Sequence, residues 1–517
     1  MKQLSDRQVL IVGAGPTGLA LACDLARRGV ACRIIEKAPT YFAGSRGKGL
    51  QPRSLEVLED FGVINSILAG GRFHLRFRGY DGTTILGEGD LHEGRQPTPD
   101  VPYASTLIIP QWRVEQILRD QLATHGIHVE LATELTGFEQ DKSGVTATVV
   151  HTGVLHDSAS EQLRAAYLVG CDGGHSFVRK TLGVGFEGET WETERMLLGD
   201  VRVDGLDRDY WHAWPKARAG VLALCPLPGT DVFQFQAQIA PDEPPEPSLE
   251  RFQAIVNERT GRSDLRLYDA TWLSLYRANV RMVDRYRVGR VFLAGDAAHV
   301  HSPAGGQGMN TGIQDAYNLG WKLGQVLGGA PDELLTTYEE ERLPIAAWLL
   351  GITSKLHRQS FQENPNVQRS AETLQLALNY RHSALARDER KVPGGVQAGD
   401  RAPDAPCHAV TGTPIRLFDL FRGPHFTLLA FGVAHTDTVA AINKRYGDVV
   451  HAYTLVHPGA ATDQAGIIDT DGHAHRAYDI DTATLVLIRP DGYLGLMTHA
   501  LTAEPVDDYL RSLVSSA

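Results

Sequence analysis

The sequence predicts an α/β fold in which parallel strands are covered by helices. An aliphatic run at 8–12 has the composition of a buried strand and leads directly into a glycine-rich turn at 13–18. Apolar residues then recur at helical spacing as far as 28–29, a typical helix end, and a second aliphatic run follows at 30–36. Strand, turn, helix and strand in this order form a βαβ unit, which predicts a parallel, Rossmann-like sheet.

The chain of 517 residues is too long for a single hydrophobic core, so several domains are expected. Alternating polar and apolar residues across 183–277 predict a mostly antiparallel sheet inserted into the first domain. A stretch rich in proline and glycine at 392–403 marks a boundary. We therefore predict a discontinuous first domain, an inserted β-sheet domain and a small α/β domain, at 1–182 with 278–390, at 183–277 and at 398–517.

Composition and charge narrow the class of partner. The net charge of −12 argues against nucleic acid, because phosphate binding needs a concentrated basic surface. No uninterrupted apolar run reaches the roughly 18–20 residues that span a bilayer, so no membrane association is expected. Five scattered cysteines without a C-x-x-C pair fit a reducing compartment, which predicts a cytoplasmic protein.

The glycine-rich turn has the spacing of a dinucleotide-binding fingerprint, in the expected position between a strand and a helix. The first glycine permits the turn, the second lets the backbone approach a pyrophosphate, and the third lets helix and strand pack closely. The helix start then faces the phosphates. A carboxylate at the end of the next strand accepts hydrogen bonds from an adenosine ribose. The residues expected to bind this cofactor are Gly13, Gly15, Pro16, Thr17, Gly18, Glu36 and Lys37.

A second segment, far along the chain, narrows the dinucleotide to FAD. A short apolar strand after Arg290 delivers Gly295-Asp296, and a glycine-rich stretch follows before a new helix begins. The Asp296 carboxylate is suited to accept a hydrogen bond from a polyol hydroxyl. The N–H groups and positive dipole of the helix start suit the electron-rich edge of a reduced flavin. The residues expected to contact the flavin are Gly295, Asp296, Pro303, Gly306, Gly308, Met309 and Asn310.

With these motifs in view, the chain resembles the FAD-dependent aromatic hydroxylases, the flavoprotein monooxygenases that include para-hydroxybenzoate hydroxylase and phenol hydroxylase. Three motifs carry the resemblance over residues 1–390, in the family's order. They are the glycine fingerprint, the segment 171–179 with its Asp-Gly pair, and Gly295-Asp296 with its glycine-rich continuation. The resemblance implies that Asp172 and Gly173 take part in binding both FAD and NAD(P)H.

The resemblance also implies further cofactor contacts. Arg46 takes the position of a family arginine near the pyrophosphate and ring, and Gln111 and Arg113 resemble residues that contact the flavin's linker and phosphates. Residues 398–517 resemble the thioredoxin-like domain of phenol and polyketide hydroxylases. They lack the C-x-x-C pair that dithiol exchange needs, so this domain is expected to be structural or to form a dimer interface.

Other candidate sites are set aside or left open. His299 and His301 have no third His or Cys ligand at suitable spacing, so no metal site is expected. No G-x-S-x-G turn supports a serine nucleophile. Trp211 and Trp214 lie in an aromatic cluster of the inserted sheet, where they serve either as substrate contacts or as core packing. Pro303 is a third expected substrate contact.

The family resemblance implies an NADPH- or NADH-consuming monooxygenase that hydroxylates an aromatic substrate through a flavin C4a-hydroperoxide. The substrate is then a phenol or a polycyclic polyketide of the kind met in antibiotic biosynthesis. The cofactor carries this chemistry, so no catalytic residue is named. Two alternatives stay open: the same flavin chemistry used for Baeyer–Villiger oxidation or epoxidation, and a non-catalytic flavin-containing binding protein. We expect a monomer or homodimer whose partners are an aromatic small molecule and O2.

Overall fold

The computed structural model describes residues 9–90, 94–152, 159–215, 217, 220–302, 305–362, 371–392, 394–460, 466–511 and 513–514. These residues form three large sheets, two smaller ones and the helices that cover them. We refer to the large sheets as the parallel sheet, the inserted sheet and the C-terminal sheet. Within the described ranges, no helix is both long and apolar enough to cross a membrane.

The parallel sheet is built from six strands: β1 (Val9–Val12), β2 (Cys32–Ile35), β7 (Val129–Glu130), β11 (Tyr167–Gly170), β17 (Arg287–Val288) and β18 (Val291–Leu293). They lie in the order β17-β18-β11-β1-β2-β7, with β17 antiparallel to β18 and the other neighbours parallel. The aliphatic side chains of β1 are buried in one core that includes both covering layers. The predicted βαβ unit is confirmed.

Helix α1 (Pro16–Arg27) packs against both α4 (Gln111–Thr124) and α7 (Gly308–Leu327). It begins at Pro16 because proline lacks an N–H and is favoured at the first helical position. An antiparallel meander shares the same core through apolar side chains such as Val149 and Leu163. Its strands are β8 (Thr133–Gln140), β9 (Val145–His151) and β10 (Ala159–Ala165).

The remaining elements that precede the C-terminal sheet are short, apart from one long helix. The two-stranded sheet pairs β3 (Gly49–Leu50) with β6 (Leu107–Ile108). The helices are α2 (Pro52–Asp60), α3 (Ile64–Gly70), α5 (Phe177–Thr181) and α8 (Thr336–Gln362). Single 3-10 turns occupy Gly295–Ala297, Asp332–Leu335 and Ala371–Leu374.

The inserted sheet has eight strands: β4 (Arg76–Asp81), β5 (Thr84–Asp90), β12 (Glu187–Asp204), β13 (Tyr210–Trp214), β14 (Leu222–Pro226), β15 (Val232–Ile239), β16 (Arg266–Met282) and β19 (His299–Val300). Their order is β19-β16-β12-β15-β14-β13-β4-β5, and β13 with β4 is the parallel pair in this otherwise antiparallel sheet. The mostly antiparallel character agrees with the prediction. The sheet also takes in the hairpin of β4 and β5, whose irregular sequence pattern predicts no strands.

One face of the inserted sheet is covered by α6 (Leu249–Thr260). The Ser248 side chain caps the start of α6, and Gly261, with a φ of +64°, ends it. Phe235 of β15 stacks on Phe252 of α6, with ring centroids 4.1 Å apart. Because side chains alternate along a strand, the neighbouring residues of β15 point to the opposite face, towards the first part of the chain.

The C-terminal sheet has eight strands: β20 (Arg387–Asp388), β21 (Pro406–Ala409), β22 (Pro414–Arg416), β23 (Phe426–Phe431), β24 (Val450–Val456), β25 (Gly466–Ile468), β26 (Thr484–Ile488) and β27 (Leu494–Thr498). Their order is β20-β27-β26-β23-β24-β25-β21-β22, with β23, β24 and β25 parallel and the β26–β27 hairpin antiparallel. The helices are α9 (Leu417–Phe421), α10 (Thr436–Tyr446), α11 (His473–Tyr478) and α12 (Glu504–Leu510), and Val433–His435 forms a 3-10 turn. This arrangement fits the predicted thioredoxin-like fold.

Candidate functional site

The motifs singled out in the sequence meet at two neighbouring points, Gly13 in the glycine turn and Thr17 in the first turn of α1. Gly295 and Gly312 lie so close to Thr17 that a Cβ added to either would overlap the threonine hydroxyl. Gly13 packs against the carbonyl group of Cys171, where the middle motif begins, and a Cβ on Gly13 would overlap that carbonyl. Segments that are far apart in the sequence therefore build one site.

The glycine turn leaves open space in front of α1. Gly13 adopts a φ of +104°, which a residue with a side chain rarely adopts. A Cβ on Gly18 would overlap the carbonyl of Gly13, so the third glycine lets the helix pack closely. By contrast, a Cβ on Gly15 would meet no described protein atom within 4 Å. The first N–H groups of a helix lack intrahelical acceptors, so this space beside Pro16 and Thr17 suits an anion.

Glu36 connects the glycine turn to the end of β2. One carboxylate oxygen accepts a hydrogen bond from the Ala14 N–H at 3.0 Å, and the other accepts one from the Ala38 N–H at 3.0 Å. Each oxygen keeps a second lone pair, so the carboxylate can still accept from a ribose hydroxyl. Lys37, beside it, is exposed.

The Asp172 carboxylate caps the short helix α5. It accepts hydrogen bonds from the Ser176 hydroxyl at 2.5 Å and from the Phe177 N–H at 2.7 Å. Arg179, in the same helix, donates to the carbonyl of Ala297 at 2.9 Å and so ties the middle motif to the Gly295 segment. These contacts give Asp172 a structural role, and its direct contact with FAD or NAD(P)H stays a prediction.

The Asp296 side chain is exposed, and many protein groups surround it. These groups displace part of the water around the carboxylate and so raise the pKa of Asp296, while the nearby charges of His299 and Arg46 oppose this shift. Gly295, just before it, adopts a φ of +59° and donates its N–H to the Asp315 carboxylate at 3.0 Å. The backbone that presents Asp296 is thus fixed, while its carboxylate remains able to accept a hydrogen bond.

Helix α7 begins at Gly308, so the N–H groups of its first turn, at Gly308 and Met309, point away from the helix body. The Asn310 side chain holds this end in place. Its oxygen accepts from the Gln51 N–H at 2.7 Å, and its nitrogen donates to the carbonyls of Gly49 at 2.9 Å and Gly306 at 2.8 Å. Asn310 therefore joins β3 to the glycine-rich segment.

Pro303, expected at both the flavin and the substrate, lies outside the described residues.

The loop at 44–48, which carries Arg46, crosses the inserted sheet. On the sheet face opposite α6, the cross-strand neighbours Trp272, Asp200 and Gln234 form a row, which Cys225 and Trp211 continue.

The loop contacts this row in sequence order. Gly44 packs on the Trp272 ring, and the Ser45 N–H donates to the Asp200 carboxylate at 2.8 Å. Lys48 donates to the side-chain oxygen of Gln234, and its ammonium lies 4.5 Å from the centroid of the Trp211 ring.

Gln111 binds the other side of the same loop. Its side-chain oxygen accepts from the Gly47 N–H at 3.0 Å, and its amide donates to Glu115 at 2.8 Å. Burial raises the pKa of Glu115 to about 7, although Gln111 and the charges of Arg119 and Arg46 oppose this shift.

Arg113 emerges from a different side of α4. It donates to the Gln116 side chain at 3.1 Å and lies against the Trp112 ring. Its predicted contact with the cofactor stays a prediction.

The two histidines considered as metal ligands lie in a buried network beneath the Gly295 segment. His299 and Asp315 form a hydrogen-bonded pair with an Nε2–Oδ2 distance of 2.7 Å. Arg342 donates to the other Asp315 oxygen at 2.7 Å. Burial and the neighbouring His299 lower the pKa of His301 to about 3, so this ring is neutral at physiological pH. The part of the chain that the structure describes contains no group of three or more metal-ligating side chains.

Trp211 and Trp214 lie on opposite faces of the inserted sheet. Trp211 is on the face that meets the Arg46 loop, and its indole N–H has no acceptor among the described residues. Trp214 is 1% exposed, stacks on Tyr80 at 4.7 Å and donates to the carbonyl of Gly82 at 2.9 Å. The expected substrate contact is therefore corrected for Trp214, which belongs to the core beneath α6, because strand residues alternate between faces.

Sequence reasoning missed Glu115, Asp200, Asp315 and Arg342. Each is less than 5% exposed, and each contacts or supports a segment of the site. Burying an ionisable group is costly unless it is paired, so such residues are often functional. The one available signal was a charged residue at helical spacing from apolar ones, as for Glu115, which precedes Leu118 by three residues and Leu122 by seven.

Comparison with known proteins identifies the family in which these motifs occur. A family profile described as "FAD binding domain" matches residues 6–351, and one described as "Aromatic-ring hydroxylase, C-terminal" matches residues 396–517. A flavin-dependent monooxygenase of Mycobacteroides abscessus is 46% identical over 514 residues, covering 98% of this chain and 100% of that protein. Pentachlorophenol 4-monooxygenase of Sphingobium chlorophenolicum is 31% identical over 544 residues, covering 98% and 97%.

A solved structure shows the same architecture. Aklavinone-11 hydroxylase, in a ternary complex with FAD and aklavinone, superposes with a TM-score of 0.84 at 29% sequence identity. The alignment covers 99% of this chain and 100% of that chain. The similarity therefore extends over all three large sheets.

Proposed function

Because the chain belongs to the FAD-dependent aromatic-ring hydroxylases and is a flavin-dependent monooxygenase, we propose that it hydroxylates a phenolic or polycyclic aromatic substrate with NADPH or NADH as reductant. The observation that carries this proposal is the convergence of the middle motif on Gly13 and of the Gly295 segment on Thr17, at the two ends of the glycine turn. Those segments leave space beside Gly15 at the start of α1, which would suit a pyrophosphate.

The residues of the site suit each part of FAD. The start of α1 at Gly15 would take the pyrophosphate, and Glu36 the adenosine ribose. Arg46 would face the phosphates or the ring, and Asp296 would accept from a polyol hydroxyl. The first turn of α7 would meet the pyrimidine edge. When bound, FAD supplies the electron transfer and the activation of O2.

Two uncharged side chains lie beside the start of α7. The Tyr276 hydroxyl donates to the carbonyl of His301 at 3.3 Å. Burial, reinforced by the charge of Asp296, raises the pKa of Tyr276, so this phenol keeps its proton. The imidazole of His301 is neutral, as its low pKa indicates. Neither a phenolate at Tyr276 nor an imidazolium at His301 is therefore present, so the positive end of α7 itself would stabilise the negative charge of a reduced flavin.

The face of the inserted sheet opposite α6 supports the proposed substrate site. Trp211 is half-buried on this face and offers an aromatic surface. An aromatic substrate would stack on such a ring. The substrate would thus lie between the sheet and the ring of the cofactor, where the surrounding protein excludes water.

The substrate class rests on the relatives. One of them is named for pentachlorophenol, a phenol, and one structure contains aklavinone. We therefore propose a substrate with a hydroxylated aromatic ring, whether single or fused. Product analysis separates hydroxylation from the two alternative oxygenations, since a new phenol, a lactone and an epoxide differ in structure.

The direct experiment measures coenzyme oxidation. Purified protein is expected to be yellow, to contain FAD, and to oxidise NADPH or NADH faster when a phenol or polycyclic aromatic compound is present. The preferred coenzyme is the one with the larger kcat/KM. A protein that binds FAD but whose flavin neither coenzyme reduces, with or without aromatic compounds, would contradict the proposal.

The wider setting of the protein stays predicted. All five cysteines are buried thiols, which is compatible with the reducing, cytoplasmic compartment proposed for the chain. Light scattering during gel filtration decides between the monomer and the homodimer. Cell fractionation checks the compartment.

A further inference from the structure

We infer that the C-terminal domain is part of the FAD site, because its segment 489–493 supports both chain segments that flank the flavin. This domain lacks the C-x-x-C pair of redox-active relatives of its fold. The inference concerns FAD binding and does not depend on the proposed coenzyme or substrate.

The segment 489–493, between β26 and β27, is buried against the first part of the chain. Arg489 is 1% exposed and donates to both oxygens of Glu341, in α8, at 2.6 and 2.9 Å. Asp491, also 1% exposed, accepts from the indole N–H of Trp321, in α7, at 2.9 Å. A buried charge keeps its partners only in a narrow range of geometries, so these contacts fix the segment against α7 and α8.

A first branch runs from this segment to the Gly295 backbone. The Tyr493 ring packs on the Tyr380 ring, with centroids 4.3 Å apart, and the Tyr380 hydroxyl accepts a hydrogen bond from Arg342 at 2.9 Å. Arg342 donates to Asp315 at 2.7 Å, and Asp315 accepts the Gly295 N–H at 3.0 Å. Each step is a direct contact between buried groups.

Neighbouring residues of α8 connect the two ends of this branch. Glu341 pairs with Arg489 of the C-terminal domain, and Arg342 pairs with Asp315 beneath the Gly295 segment. A shift of the C-terminal segment would therefore move the same turn of α8 that supports the flavin segment.

A second branch runs to the Arg46 loop. Arg53, in α2, donates to the carbonyl of Asp491 at 2.7 Å, and its guanidinium lies 4.8 Å from the centroid of the Tyr493 ring. Helix α2 begins directly after Gln51, which Asn310 holds through the backbone N–H. The chain that precedes this point is the loop that carries Arg46.

These contacts make Tyr380 and Arg342 positioning residues. Both side chains are buried, and they set the place of Gly295, next to Asp296. Because polar groups in a buried chain depend on one another, losing one hydrogen bond near the middle disturbs the groups on both sides. If the C-terminal domain only packed against the rest of the chain, apolar contacts would suffice, and the buried charged residues at this contact would offer no advantage.

The test compares two substitutions in the same pair of rings. Tyr380→Phe removes the hydroxyl that accepts from Arg342. Tyr493→Phe removes a hydroxyl that has no partner among the described residues, so it is a matched control. We expect Tyr380→Phe to raise the Kd for FAD about fivefold to thirtyfold, as for a buried charged donor that loses its acceptor, and Tyr493→Phe to change it less than about twofold.

The Kd is measured by adding FAD to the full-length apoprotein and following the quenching of flavin fluorescence. A second readout is the coupling of Tyr380→Phe with Asp315→Asn. If the effect of Tyr380 passes through Asp315, Tyr380→Phe changes the Kd much less in the Asp315→Asn background than alone.

Thermal unfolding of each apoprotein shows whether the variants are folded. Unchanged FAD affinity in folded Tyr380→Phe, whether or not its melting temperature falls, would overturn the inference and leave the domain a docked structural unit. Equal effects of the two Tyr→Phe substitutions, or full additivity with Asp315→Asn, would also overturn it. Because no readout involves NADPH, NADH or a substrate, failure here leaves the proposed hydroxylation untouched.

Discussion

Thr17, in the first turn of α1, lies directly against Gly295, and a methyl group on Gly295 would overlap the Thr17 hydroxyl. This contact sets the distance between the glycine turn and the segment that presents Asp296. Since FAD is a long ligand that touches both ends of such a site, the two halves must be held in register. Gly295 adopts a φ of +59°, so both its space and its backbone favour glycine.

Two glycine substitutions are predicted to weaken FAD binding for different reasons. Gly295→Ala would strain the backbone and push Thr17 away, so the apoprotein loses about 1–3 kcal/mol of unfolding free energy and FAD binding weakens. Gly15→Ala places a methyl group in open space where the pyrophosphate would lie, so it weakens FAD binding while the apoprotein stays as stable as the parent. Thermal melts of the apoproteins, together with FAD titrations, check both. A Gly15→Ala protein that binds FAD normally would contradict the placement of the pyrophosphate.

The sequence predicts the parts of this site that depend on local pattern. The glycine turn and the βαβ unit follow from spacing alone, and β1, α1 and β2 form where expected. The hairpin at 76–90 was missed because its strand β5 is largely exposed and so shows no alternation. The choice between substrate contact and core packing for Trp214 stayed open because a sequence shows that a strand has two faces but not which face a helix covers.

Asp200 illustrates a residue of the candidate site whose partner no local pattern reveals. It accepts a hydrogen bond from Ser45, 155 residues away in the sequence. Such pairs follow from tertiary packing, which brings the inserted sheet under the Arg46 loop.

The substitution Asp200→Ala is predicted to let the loop at 44–48 move, because it removes the hydrogen bond to Ser45. The Ser45 N–H loses its acceptor, so we expect FAD to bind about fivefold to thirtyfold more weakly. Asp200→Asn keeps an oxygen at the same place and is expected to bind FAD within a few-fold of the parent. FAD titration of both apoproteins measures the difference. Equal affinity in the Ala and Asn variants would show that the hydrogen bond to Ser45 does not position the loop.

Glu115 is predicted to make stability depend on pH. Its pKa is raised by burial to about 7 in the folded state, from an ordinary value of 4.5. The folded protein therefore holds this proton more tightly than the unfolded chain. The stabilisation of the folded state by this bound proton is fully present below pH 4.5 and is lost as the pH rises through 7.

Glu115→Gln removes this dependence. At pH 8 the free energy of unfolding of the variant is expected to exceed that of the parent by about 1–3 kcal/mol, because the variant avoids a buried charge. Near pH 4.5 the difference should vanish, since the parent is then protonated. Urea unfolding of both apoproteins at several pH values measures this. A difference that grows towards low pH would contradict the assignment.

Trp211 and Trp214 are predicted to separate substrate binding from stability. Trp211→Phe should raise the KM for an aromatic substrate several-fold while the melting temperature changes little. Trp214→Phe removes a buried indole and its hydrogen bond to Gly82, so it should cost about 1–3 kcal/mol of stability with KM unchanged. Steady-state kinetics and thermal melts check the pair. The reverse pattern would place the substrate on the other face of the sheet.

The most direct test of the central claim follows the oxygen atom. The FAD-loaded protein is incubated with isotopically heavy O2, NADPH or NADH, and an aromatic compound that stimulates coenzyme oxidation, and the product is analysed by mass spectrometry. An aromatic hydroxylase is expected to give a product with a new ring hydroxyl that contains one heavy oxygen atom. Coenzyme oxidation that yields only hydrogen peroxide with every aromatic compound tried, or a hydroxyl whose oxygen comes from water, would contradict the account.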